Sequence, residues 1–244
     1  MAYAFNPFTG TFDDSGAFSG GTLTSNLTLA AGTTSASPLT LQSGTNLTSA
    51  SAGAVEYDGK VIYTTPSATS GRSISPSLML YRLNSNFTGG TGTGAQPVFN
   101  AGITLVAGTV YAFRSDFLLS KTAGTTSHTL GILFGGTATL NNIFYKAAET
   151  RSTIAVPGVG TGSVVTAHIT VATNATLSSA IAQATFSASY LLQGTISVNA
   201  GGTFIPQYQL SANPGGAYST YAGSYFEIWP IGAAGANTSV GSWA

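Results

Sequence analysis

Charge is what this 244-residue sequence has least of: Asp, Glu, Lys and Arg make up 6 % of it, seven basic side chains against seven acidic. A typical soluble domain carries roughly a quarter. With a formal net charge of +0, little repulsion keeps copies apart. Wetting then falls to Thr, Ser, Asn and Gly, and neighbouring polypeptides are expected to cover part of the exterior. Nucleic acid is excluded as a partner, because phosphate binding needs clustered Lys and Arg. Here Lys60, Arg72, Arg82, Arg114, Lys121, Lys146 and Arg151 are scattered. Cysteine is absent, which removes disulfides and thiolate metal sites and leaves the redox compartment open. No apolar run reaches the roughly 18–20 residues of a membrane helix, so no membrane partner is expected. The opening Met1–Phe8 lacks the positive and apolar regions of a secretory signal.

Catalytic side chains are also few. The two histidines, His128 and His168, lie far apart and each sits in an alternating stretch, where a strand-face histidine bonded to a neighbour is the ordinary outcome. The acids are Asp13, Asp14, Glu56, Asp58, Asp116, Glu149 and Glu227. A glycosidase needs two carboxylates flanking one bond. Neither Asp13/Asp14 nor Glu56/Asp58 has a companion Arg or aromatic cluster resembling a sugar subsite. No metal-ligand spacing occurs, and neither Gly89–Gly94 nor Gly158–Gly162 opens a helix or is followed by a Lys-Ser/Thr pair. The expectation is a protein without catalytic residues, metal or cofactor.

What is present is strand periodicity. Tyr111, Phe113, Phe117 and Leu119 fall on one side of a pleated ribbon over 109–119. Residues 163–171 put Val165, Ala167, Ile169 and Val171 on one face, and 203–210 put Phe204, Pro206, Tyr208 and Leu210 on one face. In 223–231, Tyr225, Glu227, Trp229 and Ile231 alternate with Phe226, Ile228 and Pro230. Such segments, bounded by Gly, Asn and Pro, predict an all-β antiparallel sandwich or jelly roll. The best helical candidate is Leu177–Ala184. Three zones are expected: an amino-terminal arm and attachment segment (1–50), a short-strand region with a Gly-rich linker (51–94), and a jelly roll (95–244).

Tyr3, Phe5, Phe8, Phe12 and Phe18 crowd the first zone, while Pro7, Gly10 and Gly16 interrupt any helix. Two readings are open: a segment folded back over its own jelly roll, or an arm inserted into a neighbouring subunit, which is preferred. Arg114 and Asp116, two apart on a predicted strand, share the face opposite the aromatic one. They are read either as a solvated face or as a pair that fixes the register of a subunit interface.

The run AGAVEYDGKVIYT (Ala52–Thr64) resembles a segment of virion proteins of tailed bacteriophages, including cyanophages. Leu105–Phe113, Phe134–Thr139, Gly194–Gln207, Gly223–Gly232 and Val240–Trp243 follow in the same order, and Asn6–Gly10 is similar to the start of some phage fibre proteins. The closing strand at Gly223–Phe226 also resembles that of trimeric jelly rolls of the tumour-necrosis-factor kind. The resemblance implies a homotrimer with aromatic side chains packed along its threefold axis; Tyr225, Phe226 and Trp229 are the expected aromatics, joined by Arg114 and Asp116 where that pair is read as an interface contact. It implies virion origin and leaves fibre, baseplate and capsid open; the preferred expectation is a place on the outer surface of the virion, with Tyr3, Phe5, Phe8, Phe12 and Phe18 docking on major capsid protein or another virion protein to decorate or cement the shell. The alternative is a tail-fibre or baseplate receptor-binding protein whose loop Ala212–Tyr221 contacts host surface glycans.

Overall fold

The computed structural model describes residues 5–6, 11–12, 29, 31–67, 69–151, 164–237 and 239–243. The chain divides into two compact units, Met1–Leu41 and Gln42–Ala244. In the first, β1 (Phe5–Asn6) pairs antiparallel with β2 (Thr11–Phe12), with Phe5 opposite Phe12. Tyr3, Phe8 and Phe18 lie outside the described residues.

The second unit opens with a meander of β3 (Val55–Tyr57), β4 (Ile62–Ser67) and β5 (Gly71–Ser75). Gly44 N–H donates to the Tyr57 carbonyl and Leu47 N–H to Glu56. Residues 42–50 therefore belong with the meander, and the boundary expected at residue 50 moves to 41.

Thirteen further strands follow: β6 (Met79–Arg82), β7 (Phe87–Thr88), β8 (Gln96–Pro97), β9 (Ile103–Leu105), β10 (Thr109–Lys121), β11 (His128–Gly135), β12 (Thr139–Arg151), β13 (Val164–Ile169), β14 (Ala175–Ile181), β15 (Phe186–Ala200), β16 (Gly202–Leu210), β17 (Ser219–Thr220) and β18 (Tyr225–Ala233). The antiparallel pairs nest: β6 with β18, β8 and β9 with β16, β10 with β15, β11 with β14. Cross-pairs β10–β18 and β11–β16 close two sheets, β6–β18–β10–β15 and β8/β9–β16–β11–β14. Nested pairs wound into two four-stranded sheets are the jelly-roll connection. The hairpin β12–β13, inserted between β11 and β14, extends the first sheet beyond β15.

Two expectations change here. Because β6 pairs with the last strand, the sandwich begins well before residue 95, and Gly89–Gly94 is a loop inside it rather than a linker. That loop is pinned by Gln96, whose Nε2 donates to the Gly92 carbonyl at 2.9 Å. The helical candidate Leu177–Ala184 is mostly strand β14, with Leu177 and Ile181 buried; pairing with β11 outweighs the local pattern. No helix occurs among the described residues, and none is long and apolar enough to cross a membrane.

The core follows from alternation. On β10, Tyr111, Phe113, Phe117 and Leu119 all point between the sheets. Phe113 sits against Phe134, Phe226 and Tyr145 at centroid separations of 5.4, 5.8 and 6.2 Å. Phe117 stacks on Tyr190 at 5.3 Å. Burying each such ring contributes about 1.5–3 kcal/mol, and edge and offset contacts add about 0.5–1.5 kcal/mol. Gly194 pairs with Phe113 on one side and Tyr145 on the other. A Cβ there would lie 2.2 Å from the Phe144 carbonyl oxygen, so the close approach of β12 to β15 requires glycine.

Candidate functional site

The outward face of the larger sheet carries four of the five side chains expected at a subunit interface, Tyr225, Trp229, Arg114 and Asp116. One row crosses six strands: Leu80, Glu227, Arg114, Gln193, Lys146 and His168. The next runs Arg82, Tyr225, Asp116, Leu191, Ala148, Thr166. On the other side lie Trp229, Ala112, Thr195 and Phe144. Exposed apolar groups (Leu80, Leu191, Phe144) thus interleave with charged ones, and Tyr225 and Trp229 are half-buried.

Arg114 Nε donates to Glu227 Oε1 at 2.7 Å, and Asp116 Oδ1 accepts from the Ser189 hydroxyl at 3.2 Å. Arg114 and Asp116 share the outer face, as the spacing predicts, but Arg114 is paired within its own chain rather than left for a neighbour. Phe226 is corrected too. It points into the core, 5 % exposed, against Phe113 and Phe99, so only Tyr225 and Trp229 of that aromatic group belong to the face.

Beside this face the sandwich is open along its side. Strand β6 ends the first sheet and β9 the second; among the described residues each has a partner on one edge only. Between them lies a groove of about 280 Å³ lined by Met79, Leu80, Tyr81, Phe99, Ala101–Thr104, Phe204, Pro206, Phe226 and Ile228. No charged side chain lines it.

The acids weighed as a catalytic pair hold the meander together instead. Glu56 Oε2 accepts from Arg72 Nε at 2.6 Å, and Oε1 accepts from Leu47 N–H at 2.6 Å; the guanidinium and the amide hold its carboxyl below the usual range. Burial alone would raise Asp58, but hydrogen bonds from Val61 N–H, Lys60 N–H and the Tyr63 hydroxyl bring it down. Asp13 and Asp14 lie outside the described residues. His128 is 2 % exposed, bonded through Nδ1 to the Thr126 carbonyl and through Nε2 to the Tyr218 hydroxyl. His168 stands on the outer face beside Phe144. The loop Ala212–Tyr221 buries Pro214, Gly216, Tyr218 and Thr220 and leaves Asn213 and Tyr221 outside. Among the described residues no three His, Cys, Asp or Glu side chains gather as a metal would need.

Two buried charges escaped the sequence reading. Lys121 is 2 % exposed, and its ammonium donates to the carbonyls of Gly124 at 2.7 Å, Ala123 and Ala184 at 3.3 Å, and Gln183. Glu149 is fully buried, with Oε1 bonded to Arg151 Nε and Oε2 without a partner among the described residues. Alternation carried the signal: Lys121 continues the inward series of Phe117 and Leu119, and Glu149 that of Tyr145 and Ala147.

No protein-family model and no curated protein sequence matches the chain. Among solved structures it is similar to a chain from infectious bursal disease virus, Gx strain, at 13 % identity and TM-score 0.16, covering 72 % of this chain and 44 % of that one. A chain from the Gt strain of the same virus aligns at 11 % identity and TM-score 0.15, over 71 % of this chain and 48 % of that one. The chain thus spans less than half the length of each, and neither superposition is close enough to carry an argument about fold or role.

Proposed function

We propose that this chain is a non-enzymatic structural subunit of a tailed-phage virion, on the outer surface of the particle. In this reading it associates as a homotrimer through the outward face of the larger sheet and decorates or cements the capsid shell. The observation that carries the reading is that face: Trp229, Tyr225, Leu191 and Phe144 interleaved with Arg114, Glu227, Asp116 and Lys146 across four strands. A chain with so little charge has few other means of keeping such a surface from unspecific contacts. The ordered resemblance from Ala52 to Trp243 supports phage origin, and the side-chain commitments of Glu56, Asp58 and His128 favour structural over chemical roles.

The amino-terminal aromatics Tyr3, Phe5, Phe8, Phe12 and Phe18 supply attachment to major capsid protein or a neighbouring subunit. Size-exclusion chromatography with light scattering tests the association: the native chain should elute as a trimer, and Trp229→Arg with Leu191→Asp should yield folded monomers. A monomeric native chain would remove the reading. Imaging of intact particles separates shell from tail. Density over capsomers supports decoration, whereas density confined to the tail supports the receptor-binding alternative, in which Ala212–Tyr221 meets host glycans.

A further inference from the structure

The side groove is built differently from the rest of the surface. Strand edges exposed to water are normally blunted by charge, proline or a bulge, because unpaired N–H and C=O groups invite another strand. Edge β8 contains Pro97, and edge β14 is distorted at Ala180, with φ of 52° and register shifts against β11. By contrast β9 (Ile103-Thr-Leu105) and β6 (Met79-Leu-Tyr-Arg82) carry neither proline nor bulge, and Arg82 at the end of β6 is their one charge; only their shortness, 3 and 4 residues, blunts them. Both edges face one apolar groove. At about 280 Å³ it falls just below the roughly 300–1,000 Å³ of small-molecule sites; side chains suit it better than a cofactor.

The chain itself contains a complementary segment. Residues 1–12 carry no charge and hold aromatics at 3, 5, 8 and 12. Their β1–β2 pair is a two-stranded sheet with no third strand among the described residues, an arrangement that is marginal alone in water and needs another strand or a packing surface.

We propose that the β1–β2 hairpin of a second copy adds to the free edge of β6 and seats an aromatic side chain over Phe99 in the groove. Backbone pairing supplies the strand contact and the pocket supplies selectivity, as in other cases of strand addition. This inference rests on the self-association argued above and names one of its contacts.

The absence of cysteine makes a direct test available in the full-length chain. Phe5→Cys is placed in one copy, fused to a size tag, and Met79→Cys, on the groove side of β6, in another; the two are mixed, allowed to exchange and oxidised. A mixed disulfide-linked dimer can arise only between copies. The expected result is several-fold more mixed dimer than from Phe5→Cys with Asn142→Cys, an exposed control on β12. Adding Ala101→Trp, which fills the groove, should abolish the excess at an unchanged melting temperature. Equal cross-linking at both positions overturns the proposal, as does an excess that survives the filled groove. An association that persists by light scattering without the cross-link overturns this contact alone, whereas a monomer at every concentration removes the reading beneath it as well. Loss of particle attachment on filling the groove, without any cross-link, would mean that a foreign segment occupies it, and would likewise overturn the proposal.

Discussion

Tyr218 donates its phenolic hydrogen to Nε2 of His128 across 2.7 Å. The direction is set by the other ring nitrogen: Nδ1 faces the Thr126 carbonyl at 2.8 Å, and a carbonyl only accepts, so Nδ1 carries the proton and Nε2 the lone pair. Both residues are buried, and Tyr218 also touches Phe186 and Tyr208. The bond is a specification device inside an otherwise apolar interior, since any other tautomer leaves a buried group unpaired.

Tyr218→Phe removes the donor and strands Nε2, at a cost of about 1–3 kcal/mol. His128→Ala adds a cavity to the loss and should cost more. A double-mutant cycle by chemical denaturation should give a coupling between the two of about 1 kcal/mol or more. Additive losses would mean that the bond contributes nothing of its own.

Lys121 offers a second case. Its ammonium joins the end of β10 to carbonyls at 123–124 and 183–184, and burial lowers its pKa. Lys121→Met keeps the length and strands these carbonyls, so unfolding free energy should fall by about 1.5–3 kcal/mol. Arg82→Met, on the exposed end of β6, should change it by less than about 0.5 kcal/mol. Equal effects would show that the ammonium is dispensable.

These buried groups mark how far sequence reading reached. Alternation placed Tyr111, Phe113, Phe117 and Leu119 inside correctly, because a half-buried strand imposes a period of two on its own residues. The all-β jelly-roll class was legible for the same reason. The domain limits were not, because β6 gains its place only by pairing with β18 more than a hundred residues away, and nothing local to Met79–Arg82 announces that partner. Phe226 was misplaced although alternation put it on the face opposite Tyr225 and Trp229: the trimeric resemblance grouped the three as interface aromatics, and the pleat decided otherwise. Leu177–Ala184 looked helical because tertiary pairing was invisible. The groove between β6 and β9 was illegible, since it exists only once two non-adjacent edges meet.

Alkaline pH should unfold the sandwich through its tyrosines. Burial pushes the phenols of Tyr145 and Tyr208 up to about 12, and raises those of Tyr190 and Tyr218 further. In the unfolded chain these groups ionise near pH 10. Above that pH the unfolded state has released protons that the native state still holds, so stability falls as pH rises. Full stability is expected below about pH 10, with loss between there and about pH 12. Phenolate absorbance from Tyr145, Tyr190, Tyr208 and Tyr218 should appear only with loss of near-ultraviolet circular dichroism. Smooth ionisation of every tyrosine with the fold intact would refute the account.

Acid should act elsewhere and with the opposite sign. Glu56 and Asp58, both in the meander, have carboxyls held below their ordinary values of 4.5 and 3.8. A group lowered in the folded state binds fewer protons there than in the unfolded chain, so its stabilisation is complete above the ordinary value and disappears as pH drops through the lowered one. The links lost are specific: Arg72 to Glu56, Leu47 N–H to Glu56, and the amides of Lys60 and Val61 to Asp58. None joins the two sheets of the sandwich. Hydrogen exchange should therefore show the amides of 55–64 losing protection below about pH 4 while those of 111–119, in the middle of the larger sheet, keep theirs. Glu56→Gln should loosen 47–57 already at neutral pH and flatten the acid response of that segment. Parallel loss of protection in both regions would show that the meander and the sandwich open as one unit, and that these two carboxylates do not set its acid limit.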